Sequence, residues 1–244
     1  VNRRTKKSTG NTTFSGSTAH SGTSGSFSGE ESEFLSKAPL DEVVEVIRLP
    51  DFDAKSNFTR AIELVDISTE VVDQLSELVG SIAAMYRDNP FHNFEHASHV
   101  TMSVVKLLSR IVAPELDEQT VQMPRGKQSI EYMLHDHTYG ITSDPLTQFA
   151  CVFSALIHDI DHQGVPNTQL AKEKLPIADK YKGRSIAEQN SVDLAWKLFM
   201  EDKYAALRKE LCGTDRERRR FRQLVINSVM ATDIMDAELK VLRN

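Results

Sequence analysis

Cysteine is nearly absent from these 244 residues: Cys151 and Cys212 are the only two, far apart and in no CxxC pair. That excludes a disulfide framework and a thiolate zinc site, and it suits a reducing compartment. No apolar run approaches the ~20 residues of a membrane span, and the first residues do not read as a signal peptide. A surplus of positive charge is missing too. With 29 Lys+Arg against 35 Asp+Glu the net charge is -6, which argues against nucleic acid as a partner. What is present is an ordinary globular composition, 40% hydrophobic and 26% charged, so wholesale disorder and collagen-like repeats are excluded.

The chain opens on Val1 rather than Met, which is expected of a piece of a longer protein. A basic cluster, Arg3, Arg4, Lys6 and Lys7, comes first. It reads either as a solvated linker charge or as the juxtamembrane flank of a membrane anchor. Residues 8–29 then hold seven Ser, five Thr and five Gly in 22 positions. Such a stretch buries too little apolar surface to offset its ordering entropy, so residues 1–37 are expected to be a disordered linker. Residues 38–67 form a lead-in, where the β-branched VVEVIRL (43–49) suggests a short strand.

From Thr69 the apolar period is helical. Val71, Leu75, Leu78, Ile82 and Met85 make one stripe that ends at Asp88-Asn89-Pro90. It predicts a core-facing helix, with a coiled-coil dimer seam, hence a homodimer, as the other option. A second helix is predicted from Phe94 to Val112, with His96, Val100, Val104, Leu107, Leu108 and Ile111 inward. Residues 113–145 read as a long loop. A third helix covers Leu146 to His158, and others fit 185–201, 203–211 and 216–231. The arginine run from Arg216 to Arg222 reads as a solvated helix face. No βαβ alternation appears, and the fold class is all-α.

Five of the eight histidines fall into two short clusters: His92, His96 and His99, then His158 and His162. His92 and His96 share a face if both are helical. His158-Asp159 closes an almost wholly apolar helix, with Asp161 and His162 within one turn. Several ionisable groups at a buried helix end cost several kcal/mol unless a cation or partner compensates them. Imidazole with carboxylate suits zinc, iron or manganese, with magnesium where water and carboxylate dominate. A His/Asp hydrogen-bond network is the other reading.

The spacing His92-Asn93-x-x-His96, then His158-Asp159-x-Asp161-His162-x-Gly164-x-x-Asn167, resembles the signature pair of the class I cyclic nucleotide phosphodiesterases. That family belongs to the HD superfamily of metal-dependent phosphohydrolases. The resemblance implies an HD-type all-α catalytic domain, of which residues 68–244 are the N-terminal part. It implies hydrolysis of cAMP or cGMP, or both, to the 5′-monophosphate, in the cytoplasm or on the cytosolic side of a membrane-anchored parent. A non-catalytic regulatory module and another HD phosphohydrolase are the alternatives.

By the same resemblance, His96, His158 and Asp159 are ligands of a zinc ion, with Asp159 bridging to a second ion, magnesium or manganese. His162, Glu188 and Thr232 match residues that hold waters of the second ion. His92 matches the general acid that protonates O3′. Asn93, Asp161 and Asn167 read as structural residues around the site. Three departures stand out. Gln189-Asn190-Ser191 follow Glu188 where the family carries histidines, and Asp236-Ala237 stand where a histidine commonly follows the Thr232-Asp233 element. The family's fourth metal ligand and purine pocket are expected beyond Asn244, so this segment alone is expected to be inactive. Asp233 and Asp236 are not expected to replace that ligand.

Overall fold

The computed structural model describes residues 37–50, 67–111, 135, 137–236, 239 and 241. The Ser/Thr/Gly-rich stretch and most of the expected 113–145 loop lie outside these. From Lys37 onward the described residues belong to one compact unit. Eight α-helices and no strand occur among them. They are α1 (Thr69–Ala84), α2 (Phe94–Ile111), α3 (Pro145–Ile157), α4 (Asn167–Lys172), α5 (Pro176–Lys180), α6 (Ile186–Phe199), α7 (Ala205–Leu211) and α8 (Asp215–Met230).

Helix α3 is the centre, packed against α2 on one side and α8 on the other. Its sequence explains the position. Leu146, Ala150, Phe153 and Ile157 are buried as their period predicts, and Thr147, Ser154 and Ala155 are buried as well, so the helix is covered nearly all round. Phe149 and Phe153 join Trp196 and Phe199 of α6 and Phe221 of α8 in an aromatic cluster with ring centroids 5.6 to 6.1 Å apart. Each such side chain contributes about 1.5–3 kcal/mol on burial. This cluster holds the C-terminal end of α3 in place.

The helix starts follow local chemistry. Asp144 caps α3 by accepting the Thr147 N–H at 3.1 Å, and Pro145 occupies the first helical position. Thr214 and Glu217 form a capping box at the start of α8. The Asp144 carboxylate also pairs with both terminal nitrogens of Arg220, and Arg222 pairs with Glu42 while lying 5.0 Å over the Trp196 ring. Arg216 and Arg219 are exposed as expected of a solvated face, whereas Arg220 and Arg222 depart from it. Arg222 is only 4% exposed, and these two arginines bind α8 to α3 and to the lead-in.

Three other expectations are corrected. Residues 43–49 form no strand: Pro39–Glu42 make a 3-10 turn, after which Val43 and Ile47 pack on the core and Val44 and Val46 face out. The Asn227 side chain satisfies the Val44 peptide (3.3 and 2.6 Å), which replaces the neighbouring strand that a ladder would need. On α1, Leu78 and Ile82 are in the core as predicted, but Leu75 is exposed. On α2, Leu107 and Ile111 are exposed and the buried position is Ala97, because among the described elements α3 alone packs closely on this helix. The short helices α4 and α5 went unread. Helix α4 follows Pro166 and α5 starts at Pro176; each spans too few residues to show a period, and they bury Leu170, Ala178 and Tyr181 with Ile186 in a second small core.

Candidate metal centre

The two histidine clusters meet at the end of α3. His158 is the C-cap of that helix, and its Nδ1 donates to the Ala155 carbonyl at 2.9 Å. A neutral ring that donates through Nδ1 keeps its lone pair on Nε2, and that atom lies 3.1 Å from Asp159 Oδ2. His96 reaches the same oxygen from α2, with Nε2 at 3.7 Å. The ligand atoms of His96, His158 and Asp159 all lie within 4.8 Å of one another, and so do those of His92, Asp159 and His162. Asp159 belongs to both groups.

The loops that deliver these side chains are fixed by asparagines. The His96 N–H donates to Asn93 Oδ1 at 2.9 Å, as at an N-cap, while Asn93 Nδ2 donates to the Asn89 carbonyl. Asn89 Nδ2 in turn donates to the carbonyls of His92 (3.1 Å) and His162 (2.6 Å), which ties one cluster to the other. Gly164 is needed beside it. Its φ is +76°, and a Cβ there would stand 2.9 Å from Asn89 Oδ1. Asp161 turns the chain after α3 in the left-handed region, φ +57°, and accepts from Arg87 and Asn190. These two bonds join the turn to the segment after α1 and to α6.

His162 lies face to face with His92, centroids 3.7 Å apart. Its Nδ1 accepts the Gly164 N–H at 3.0 Å, so a neutral ring carries its proton on Nε2. Burial, then the neighbouring His92, lower its pKa. Burial likewise lowers that of His96. Burial would also lower His158, but the hydrogen bond and charge of Asp159 outweigh it and raise it. Asp159 shows the converse: burial acts to raise its pKa, and the His158 hydrogen bond and the surrounding imidazoles hold it below the usual carboxylate range. The Asp159 charge draws a cation to this point, whether proton or metal ion.

The remaining residues divide. Glu188, in the first turn of α6, accepts from Asn167 Nδ2 at 2.8 Å, and burial, with Asp233 and Asp159 adding to it, pushes its carboxyl up. Thr232 is turned away, exposed, its hydroxyl donating to the Val229 carbonyl at 2.7 Å. The neighbour it was paired with in sequence, Asp233, is the buried one, 6% exposed. Asp236 is taken up by Arg184 in a bidentate pair. The residues that replace the family's histidines are internal ties. Ser191 Oγ lies 2.9 Å from the Ile160 carbonyl, and Gln189 spans from the Leu40 N–H to the Arg184 carbonyl. Sequence reasoning missed Asn89, whose role depends on the His162 carbonyl, 73 residues away along the chain.

The donor set fits divalent metal: imidazole nitrogens, that of His158 with its lone pair on Nε2, and one carboxylate shared by two groups of ligand atoms. Comparison with known proteins agrees. The family model for 3′5′-cyclic nucleotide phosphodiesterase matches residues 91–241. The dual specificity calcium/calmodulin-dependent 3′,5′-cyclic nucleotide phosphodiesterase 1C of Mus musculus is 28% identical over 189 residues, 75% of this chain and 23% of that protein. The cGMP-inhibited 3′,5′-cyclic phosphodiesterase 3A of Homo sapiens is 33% identical over 174 residues, 61% of this chain and 14% of the relative. The chain thus spans under a quarter of the length of either. In fold it is similar to the phosphodiesterase domain of the RhoPDE fusion protein from the choanoflagellate Salpingoeca rosetta. The TM-score is 0.50 at 23% identity, covering 78% of this chain and 57% of that one. With more than half of its residues matched, and both histidine motifs inside the match, the chain belongs to the 3′5′-cyclic nucleotide phosphodiesterase family.

Proposed function

We propose that this chain supplies the metal-binding part of a catalytic domain that hydrolyses cAMP or cGMP, or both, to the 5′-monophosphate. The observation that carries this is Asp159, shared by two groups of candidate ligands. Two bound divalent ions, zinc and magnesium or manganese, would clamp the phosphate and supply hydroxide near neutral pH. His96, His158 and Asp159 would hold the first, and Asp159 would be shared with the second. Glu188 and Thr232 would hold waters of the second. His162, protonated on Nε2, would donate a hydrogen bond to the attacking hydroxide and leave its lone pair free for phosphorus. As the new P–O bond forms and the P–O3′ bond breaks, His92 gives its proton to O3′. An imidazole suits this because its ordinary pKa, ~6.5, is near working pH.

The basic start and the Ser/Thr/Gly-rich stretch extend the reading to a cytosolic enzyme in a longer chain, tethered at a membrane and carrying other domains, and the α1 stripe extends it to a homodimer. Fractionation and sedimentation of the full-length protein test those points. Chromatography of cAMP and cGMP after incubation with the full-length protein, zinc and magnesium tests the activity. Release of 5′-monophosphate that Asp159→Ala abolishes is expected. Equal turnover by that variant, or none by the wild type on either nucleotide, would refute the proposal.

A further inference from the structure

Glu188 belongs to a knot of polar side chains whose other members, Asn167 and Asp233, the proposed reaction does not use. Asn167 accepts the Ala187 N–H through Oδ1 at 3.0 Å, which decides which end of its amide faces the carboxylates. Its Nδ2 then donates to Glu188 Oε2 at 2.8 Å and to Asp233 Oδ2 at 3.3 Å. Asp233 cannot swing. Its other oxygen, Oδ1, accepts the backbone N–H groups of Met235 (2.9 Å) and Asp236 (3.2 Å), and the side chain is buried. Asp236 is clamped by Arg184, two residues before the helix that carries Glu188.

We infer that Asp233 is a positioning residue, acting through Asn167 to hold the Glu188 carboxylate beside the shared Asp159. An amide nitrogen has two protons to place. With Asp233 present, one proton goes to each carboxylate and the amide has a single orientation. With Asp233 truncated, the second proton has lost its acceptor, the amide is held by Ala187 and Glu188 alone, and the donor to Glu188 is less firmly placed. Such supporting contacts around a metal typically change affinity by about 10–100-fold. The inference rests on the two-ion reading above.

Stepwise Mn2+ loading of the full-length protein, followed by electron paramagnetic resonance, tests it. The wild type should bind two ions, with a magnetically coupled spectrum once both flank Asp159. Asp233→Ala should weaken the second step about 10–100-fold, leave the first unchanged and remove the coupled spectrum. Asn167→Ala should do the same, and the double variant should lose no more than either alone, as expected of residues that act in series. Asp236→Asn, which loosens the same segment through Arg184, should lower the melting temperature and leave both steps intact. An unchanged second step in Asp233→Ala, additive losses in the double variant, or equal weakening by Asp236→Asn would overturn the inference. A wild type that binds one ion overturns the two-ion reading itself, and Asp233's role with it.

Discussion

Replacing Asp144 by Asn should destabilise the protein far more than one atom's change suggests. Asp144 and Arg220 pair in nearly buried surroundings, their side chains 8% and 15% exposed. Asn keeps the cap on α3, since it accepts from Thr147 as well as Asp does. What it removes is the counter-charge of a nearly buried guanidinium, a change that costs about 3–5 kcal/mol. For a chain of this size each kcal/mol moves the melting temperature by about 2–4 °C, so a drop on the order of 10 °C is expected by circular dichroism. Asp144→Ala should cost about 1 kcal/mol more, for the lost cap. Adding Arg220→Met to Asp144→Asn should restore most of the loss, because the unpaired charge is gone. The pH dependence has a definite sign. Burial acts to raise the Asp144 pKa, but the hydrogen bonds and charge of Arg220, with Thr147, hold it below the ordinary value. A carboxyl depressed in the folded state stabilises above its unfolded pKa, ~4, and that stabilisation is lost as pH falls through the folded value. The gap between wild type and Asp144→Asn should therefore close in acid. A shift under about 2 °C at neutral pH, or a double variant worse than the single, would refute the argument. The consequence is functional, because this pair anchors the helix whose other end carries His158 and Asp159.

Gly164→Ala should lower stability by about 1–2 kcal/mol, the cost of a Cβ at φ +76° plus its 2.9 Å approach to Asn89; a stabilised variant in thermal melts would show that the turn is not under that constraint. In the full-length protein, His92→Ala should keep its metal content while kcat falls by roughly 10²–10⁴. That defect should shrink for an activated aryl phosphodiester, whose leaving group needs no proton; metal loss, or equal harm to both substrates, would make His92 a ligand or a structural residue.

Much of the site was legible because metal chemistry restricts residue type. Two histidines a helical turn apart, and a His-Asp pair ending an apolar helix, have few other uses, and the structure brings His92, His96, His158, Asp159 and His162 together. The all-α class and the bounds of α1, α3, α6 and α8 followed from the 3.6-residue period and the caps, which act within a few residues. Local patterns carry no information about which apolar side chain finds a partner. Leu75, Leu107 and Ile111 have the same period as Leu78 and Ile82, and only packing separates the exposed from the buried. The arginines of α8 look like solvent residues until Glu42 and Asp144 arrive from 180 and 76 positions away. The same holds for Asp233, adjacent in sequence to Thr232 but opposite in environment, because the turn after α8 places one side chain in solvent and the other against Asn167. Residue chemistry and local period are written in the chain itself, whereas the pairing of charges and the choice of buried face depend on contacts between distant segments, and those exist only once the helices have packed.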